Sequence, residues 1–342
     1  MLKQVKDLIF STADKLLWSG GVRILMYHGC CIGDPGLINR NGKHVEKKRL
    51  YAQLNGLLKK GWKALSLEQL HGYLQYDHPV PEFSFLVTFD DGFASNYEVA
   101  FPVLKELGVP AVIYITTSFV DANQPLWPDR VEYALCNSLV GKIAWENDDL
   151  AFDLSLENDN ERLQATSVIK RSLKSMSEVY CLQRVNELES MLKIRLSDAN
   201  DSDLLKPLGW QQCREMAESG WVSIGAHTVN HPILSRCELN QAREEITQSK
   251  YHIEKELDQV CDSFAFPNGG ASDFTNQTLE LLKDNKFKSA MTTINGLNER
   301  SQDHLQLFRY GINNYHSATD VSALLQVSRH RAAQWVSNVT GR

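Results

Sequence analysis

Short apolar runs that end in acidic, histidine or proline–glycine punctuation recur along this chain between helix-patterned stretches, and this alternation constrains the fold more than any other feature. Val22-Arg-Ile-Leu-Met-Tyr27 ends at His28, Phe83-Ser-Phe-Leu-Val-Thr-Phe89 ends at two acids and a glycine, and Ala111-Val-Ile-Tyr-Ile-Thr116 is a β-branched run. Between them the spacing predicts a helix over about 45–60, another opened by the capping-box pattern Ser66-Leu-Glu-Gln69, and a third over about 96–107, stopped by Gly108 and Pro110. Farther along the rhythm repeats, with helices over 208–219, 238–257 and 274–284, strands over 221–226, 263–266, 287–293 and 307–313, and a final helix from 318. Strands and helices alternating this regularly predict an α/β fold, a parallel sheet or (β/α) barrel wrapped by helices.

The rhythm breaks over about 121–206. Helix-spaced apolar residues (Leu163, Ile169, Leu173, Val185, Leu188, Leu192) run through its second half, so the segment reads as a helical insertion. Within it, Leu126-Trp127-Pro128-Asp129-Arg130 combines an aromatic ring with groups able to bond hydroxyls, which makes Trp127, Asp129 and Arg130 candidate substrate-binding residues; structural packing is the competing reading. Residues 1–21 form an amphipathic pattern (Leu2, Val5, Ile9, Ala13, Leu16), a helix for packing on the domain core or, peripherally, for a membrane surface. One domain carrying this insertion is then expected over 22–342.

Composition narrows the partners. A formal net charge of −6 lacks the basic excess that binding a phosphate backbone needs, so nucleic acid is disfavoured, and bulk anionic substrates gain no support either. Seven cysteines without C-x-x-C spacing suit a reducing compartment. Lys3, Lys6, Asp7, Asp14 and Lys15 interrupt any secretory h-region, so the expected location is the cytosol, at most peripheral at the inner membrane face.

Three strand ends carry chemistry. At Thr88-Phe-Asp90-Asp91-Gly92, consecutive side chains leaving a strand diverge, so one carboxylate can bind a metal while the other faces a substrate water; an ordinary turn has the same letters. His227-Thr-Val-Asn-His231 sets two imidazoles on one side of a helical turn, as paired metal ligands require. With ten histidines in the chain that pair is weak alone, but two His and one Asp form an open set, unlike a closed structural zinc site. Phe264-Ala-Phe-Pro267-Asn268-Gly269-Gly270 is a loop that can bring a backbone N–H to a substrate oxygen.

TFDDG, HTVNH and FAFPNG, in that order and each at a strand end, resemble the polysaccharide deacetylase family, the carbohydrate esterases built on the NodB homology domain. The similarity spans about 22–120 and 208–315, including RILMYHG and GWKALSLEQL. It implies a distorted (β/α) barrel and hydrolysis of an acetyl group from a sugar with a divalent metal, usually zinc; cobalt, nickel or iron would fit the same ligands. Carried onto this chain, it makes Asp91, His227 and His231 the metal ligands, Asp90 the catalytic base and the Asn268 N–H the oxyanion donor, with Pro267 at the substrate. Two features depart from the family pattern. Phe264 stands where an arginine usually orients the catalytic aspartate, and Arg309 is the candidate substitute. The usual C-terminal acid histidine has no counterpart, and because circularly permuted relatives carry it on the first strand, His28 takes that role; a buried structural histidine is the alternative.

The expected substrate is therefore an N-acetylated amino sugar in a cytosolic saccharide or polysaccharide precursor, including one that is lipid-linked. The alternatives are an O-acetyl esterase of the xylan type and a catalytically silent saccharide-binding relative; both aspartates and both histidines being present argues against silence.

Overall fold

A computed structural model describes residues 21–122, 124–146, 150–195 and 202–326. The expected N-terminal amphipathic helix lies outside the described residues, apart from Gly21. Twelve strands are described: β1 (Val22–Tyr27), β2 (Cys30–Cys31), β3 (Val45–Glu46), β4 (Lys63–Ala64), β5 (Ser84–Phe89), β6 (Ala111–Ile115), β7 (Lys142–Glu146), β8 (Ala151–Ser155), β9 (Val222–Ala226), β10 (Ser263–Ala265), β11 (Ser289–Met291) and β12 (Tyr310–Gly311). Eight of them form one sheet in the order β11-β10-β9-β6-β5-β1-β12, with β4 on β5. Every pairing in it is parallel. The sheet curls because the segment before β12 returns to its far end: Leu307 bridges Met291 of β11, and Tyr310 pairs with Leu25 of β1. This is the expected distorted (β/α) barrel.

Period-two alternation sorts the strand residues onto two faces. Leu25, Tyr27, Phe85, Val87, Phe89, Ile113 and Ile115 join the large core packed by the outer helices, whereas Val22, Ile24, Leu86, Val112 and Tyr114 join a smaller inner core with Ala265, Met291 and Leu307. Helices Lys47–Lys59, Leu67–Gln75, Trp210–Glu218, Leu239–Leu257 and Asn276–Asp284 match the spacing, and Ser66 and Gln69 form the expected capping box. Val45 and Glu46 pair with β2 instead of opening the first of these helices.

The insertion has its own core, built from Val131, Leu135, Ile169, Leu173, Val185 and Leu188 on helices Trp127–Asn137, Asp159–Leu173 and Glu178–Leu192. It is not wholly helical. β7 and β8 form an antiparallel hairpin in which Ile143 and Trp145 are buried while Lys142, Ala144 and Glu146 are exposed, a five-residue alternation too short to stand out beside the long helical pattern. Among the described residues no helix is long and apolar enough to cross a membrane.

Candidate active site and metal centre

The three motifs meet where β5, β9 and β10 end, because parallel strands deliver their C-terminal ends to one rim. β5 buries Ser84, Leu86 and Thr88 in one phase, and Asp90 continues that phase inward. There the Arg309 guanidinium grips it with two bonds, Nη1 to Oδ1 and Nη2 to Oδ2, each 2.7 Å. Arg309 also donates to the Thr292 carbonyl (2.7 Å) and Thr88 Oγ1 (3.2 Å), and its side chain is fully buried. Asp91 turns the other way with φ of 75°, and Gly92 at φ 94° completes the turn where an added Cβ would press on Ile115 Cγ2 at 3.0 Å.

Asp91 Oδ1 lies 3.6 Å from His227 Nε2 and 3.4 Å from His231 Nε2. These separations are long for hydrogen bonds. They match the roughly 3.4 Å between donors that each sit about 2.1 Å from one tetrahedral ion, and all three donor atoms lie within 4.8 Å of one another. His227 Nδ1 is 2.7 Å from the Ala265 carbonyl, which only accepts, so Nδ1 carries the proton and Nε2 keeps its lone pair for a metal. The donor set therefore fits a divalent cation with positions left open. The expected helical turn is absent: Thr228 and His231 both adopt left-handed backbone (φ 66° and 62°), and Pro232 disfavours a helical conformation at His231. Glu245 holds the loop instead, accepting from Val229 N, Asn230 N and Asn230 Nδ2, each at 2.8 Å. With Asn268 at φ 58°, left-handed non-glycine residues occur in all three motifs, each costing about 1–3 kcal/mol and concentrating strain at the site.

Lys43, which no sequence pattern marked, completes the centre. Its Nζ lies 2.9 Å from Asp91 Oδ2 and 3.0 Å from Asp129 Oδ1, so it occupies the Asp91 oxygen that faces away from the histidines. Burial disfavours charge on both aspartates, yet Arg309 beside Asp90 and Lys43 beside Asp91 outweigh it. Asp90 is held below the ordinary carboxylate range and Asp91 well below it. Lys43 is held protonated: burial opposes its charge, and Asp129 and Asp91 overcome that.

A cavity of about 700 Å³ opens above the centre, lined by Asp90, Asp91, His227 and His231 and also by His28, Trp127 and Asn268. His28 is half-buried; burial pulls its pKa down, against the opposing pull of Asp91. Beside it Gly29 is required, since a Cβ there would overlap the His44 ring. Asn268 donates no bond through its N–H to any described residue, while its carbonyl accepts from Thr293 Oγ1 at 2.6 Å. Pro267 is not among the cavity's lining, and Arg309 stands behind Asp90. The sequence reading of Asp129 and Arg130 as hydroxyl-bonding groups needs correction. Asp129 is buried below the cavity on Lys43, and Arg130, although it borders the cavity, is committed to Glu189 through bonds of 2.8 and 2.7 Å and to Asn186 at 2.6 Å. Both hold the insertion's helices to one another or to the barrel.

The chain is similar to known proteins in sequence and in fold. A family described as polysaccharide deacetylase matches residues 77–290. The YxkH protein of Bacillus subtilis (strain 168), a polysaccharide deacetylase by name, is 36% identical over 109 residues; the match covers 32% of this chain and spans only 37% of that relative's length. Among solved structures, the Streptococcus pyogenes deacetylase PplD in complex with acetate superposes with a TM-score of 0.60 at 19% identity, covering 89% of this chain and 98% of that one. IcaB from Ammonifex degensii gives 0.58 at 19% identity over 90% and 97%. A de-N-acetylase from Aggregatibacter actinomycetemcomitans gives 0.54 at 16% identity over 89% and 100%. At these identities the structural likeness is one of fold.

Proposed function

Since the chain belongs to the polysaccharide deacetylase family, we propose that it removes the acetyl group from an N-acetylated amino sugar of a saccharide or polysaccharide precursor, using a divalent cation held by Asp91, His227 and His231. One observation carries this reading: the three donors converge within 4.8 Å beside an ionised Asp90 at the base of a cavity large enough for a sugar. When bound, such a cation, with zinc the first choice for two imidazoles and a carboxylate, supplies the Lewis acidity that activates water and polarises the acetyl carbonyl.

The chain's own groups do the rest. Asp90, fixed by Arg309 with both oxygens aligned, takes the proton of the attacking water. The Asn268 N–H donates to the developing oxyanion. His28 hands a proton to the leaving nitrogen, without which an amide would expel a strongly basic anion. Trp127, half-buried at the cavity wall, offers a face for the sugar ring. Acetate release from a panel of N-acetylated and O-acetylated saccharides, free and lipid-linked, tests the reading. It predicts release from N-acetyl substrates that ceases with Asp90→Asn; release from O-acetyl substrates alone would make the protein an esterase.

A further inference from the structure

The walls of the cavity carry a different charge from the chain as a whole. Against a formal net charge of −6, the cationic side chains Lys43, Arg130, Lys170, Lys174 and Arg236 line the cavity, with Asp90 and Asp91 the carboxylates among its lining. Most of these charges are already balanced. Lys43 is shared between Asp91 and Asp129, Arg130 is held by Glu189, Lys170 lies 3.2 Å from Glu132, and Asp90 is held by Arg309.

Lys174 and Arg236 remain. Lys174, just after helix Asp159–Leu173 of the insertion, spends its Nζ on a neutral acceptor, Asn268 Oδ1, at 2.8 Å. Arg236 ends the short turn Leu234–Arg236 that follows His231, on the barrel side of the cavity, and its side chain is exposed. Among the described residues neither makes an ion pair. Burial and the neighbouring Lys170 push the Lys174 ammonium below its usual pKa, Arg236 and Lys43 add to the push, and Asp273 opposes it from a carboxylate already engaged by Gly270 N. These cations repel one another across the cavity, and a bound anion would relieve that repulsion.

We propose that the acetylated saccharide taken by this site is acidic, with a phosphate or carboxylate group bound between Lys174 and Arg236 while its acetyl group lies over Asp90 and Asp91. The inference rests on the deacetylase reading above and names its substrate class. Because Lys174 bonds the side chain of Asn268, whose N–H faces the reacting carbonyl in that reading, the acidic group belongs to the acetylated sugar itself or to its immediate neighbour. Net charge taken over the whole chain conceals this, because −6 is a sum over 342 residues, whereas the cavity is lined by five cationic side chains and two carboxylates.

Calorimetry on zinc-reconstituted protein decides the matter with three ligands: N-acetylglucosamine, N-acetylglucosamine 1-phosphate and N-acetylmuramic acid. At least one acidic ligand is expected to bind about tenfold or more tightly than the neutral sugar, and the tighter of the two identifies phosphate or carboxylate as the group recognised. Arg236→Gln, at an exposed position, should reduce that ratio several-fold, Arg236→Lys should retain most of it, and Lys174→Gln/Arg236→Gln should abolish it. Equal affinity for all three ligands overturns the inference, as does an acidic advantage that survives the double substitution, since phosphate would then be binding the metal alone. Acetate release from the neutral sugar with no acidic advantage would remove this inference and leave the deacetylase reading intact. An acidic advantage without acetate release from any ligand would fault the deacetylase reading and leave the anion site.

Discussion

Arg309 holds both carboxylate oxygens of Asp90 at 2.7 Å across 219 residues of sequence, and its own side chain is fully buried. The pair fixes the direction of the lone pairs that would accept a proton, and it keeps Asp90 ionised despite burial.

Arg309→Met is therefore expected to leave a buried carboxylate unpaired, to raise the Asp90 pKa, and to lower kcat by about 10²-fold or more. Breaking a buried pair from one side also costs about 3–5 kcal/mol of stability. Urea denaturation and acetate-release kinetics on the same preparation check both effects; unchanged kcat in a folded variant would remove Arg309 from the account.

Glu245 acts one step farther from the chemistry. Its carboxylate binds two backbone N–H groups between His227 and His231, so Glu245→Ala, which keeps both histidines in the chain, should release the loop and weaken zinc affinity by about 10–100-fold. Competition with a chromophoric chelator measures this, and Glu245→Gln, which keeps one acceptor oxygen, should fall between.

His28 separates amide from ester chemistry. His28→Ala should slow an N-acetyl substrate by roughly 10²–10⁴-fold and an activated aryl acetate far less, because a phenolate leaves without a proton. Equal losses on both would indicate that the ring serves structure or uniform binding.

Acid should destabilise the fold through its buried histidines. Burial lowers the pKa of His44 to about 3 and that of His71 to about 4, both below the roughly 6.5 of an unfolded chain. The unfolded state then binds more protons in between, so this stabilisation is complete above about pH 6.5 and is lost as pH falls toward 4 and 3. Asp90 and Asp91, with depressed values, act in the same sense, since the unfolded state again binds the extra proton, and they lose their share only below about pH 3.9. Thermal melts at pH 7.5, 6.0 and 5.0 should show a falling Tm, with a shallower fall in His71→Gln; a Tm constant over that range contradicts the assignment.

Much of the site was legible because strand-end chemistry is local: Asp90, Asp91, His227 and Asn268 each follow an apolar run whose burial fixes where it ends. What was not legible is set by tertiary contact. Lys43 lies in a polar loop, Asn39-Arg-Asn-Gly-Lys43, whose letters suit an exposed turn, and only the tertiary fold brings Asp91, from the end of β5, and Asp129, from the insertion, to its ammonium. Asp129 and Arg130 looked like sugar ligands because polar residues beside a tryptophan are common in such sites; sequence does not reveal that Lys43 and Glu189 claim them first. Glu245 did leave a signal. In helix Leu239–Leu257 it falls on the face of Ala242, Ile246, Ser249 and Ile253, all buried, and a carboxylate on a core-facing stripe needs partners such as the N–H groups it takes. The helical turn expected for HTVNH failed on a signal also present, the proline after His231.

Asp90 as base and Asp91, His227 and His231 as ligands have separable roles, which metal analysis and acetate release measure together. Wild type reconstituted with zinc should bind one equivalent and release acetate, Asp90→Asn should bind the same equivalent and release none, and His231→Ala should lose both. Equal metal loss in Asp90→Asn and His231→Ala, or full zinc binding in a variant lacking both His227 and His231, would contradict these roles.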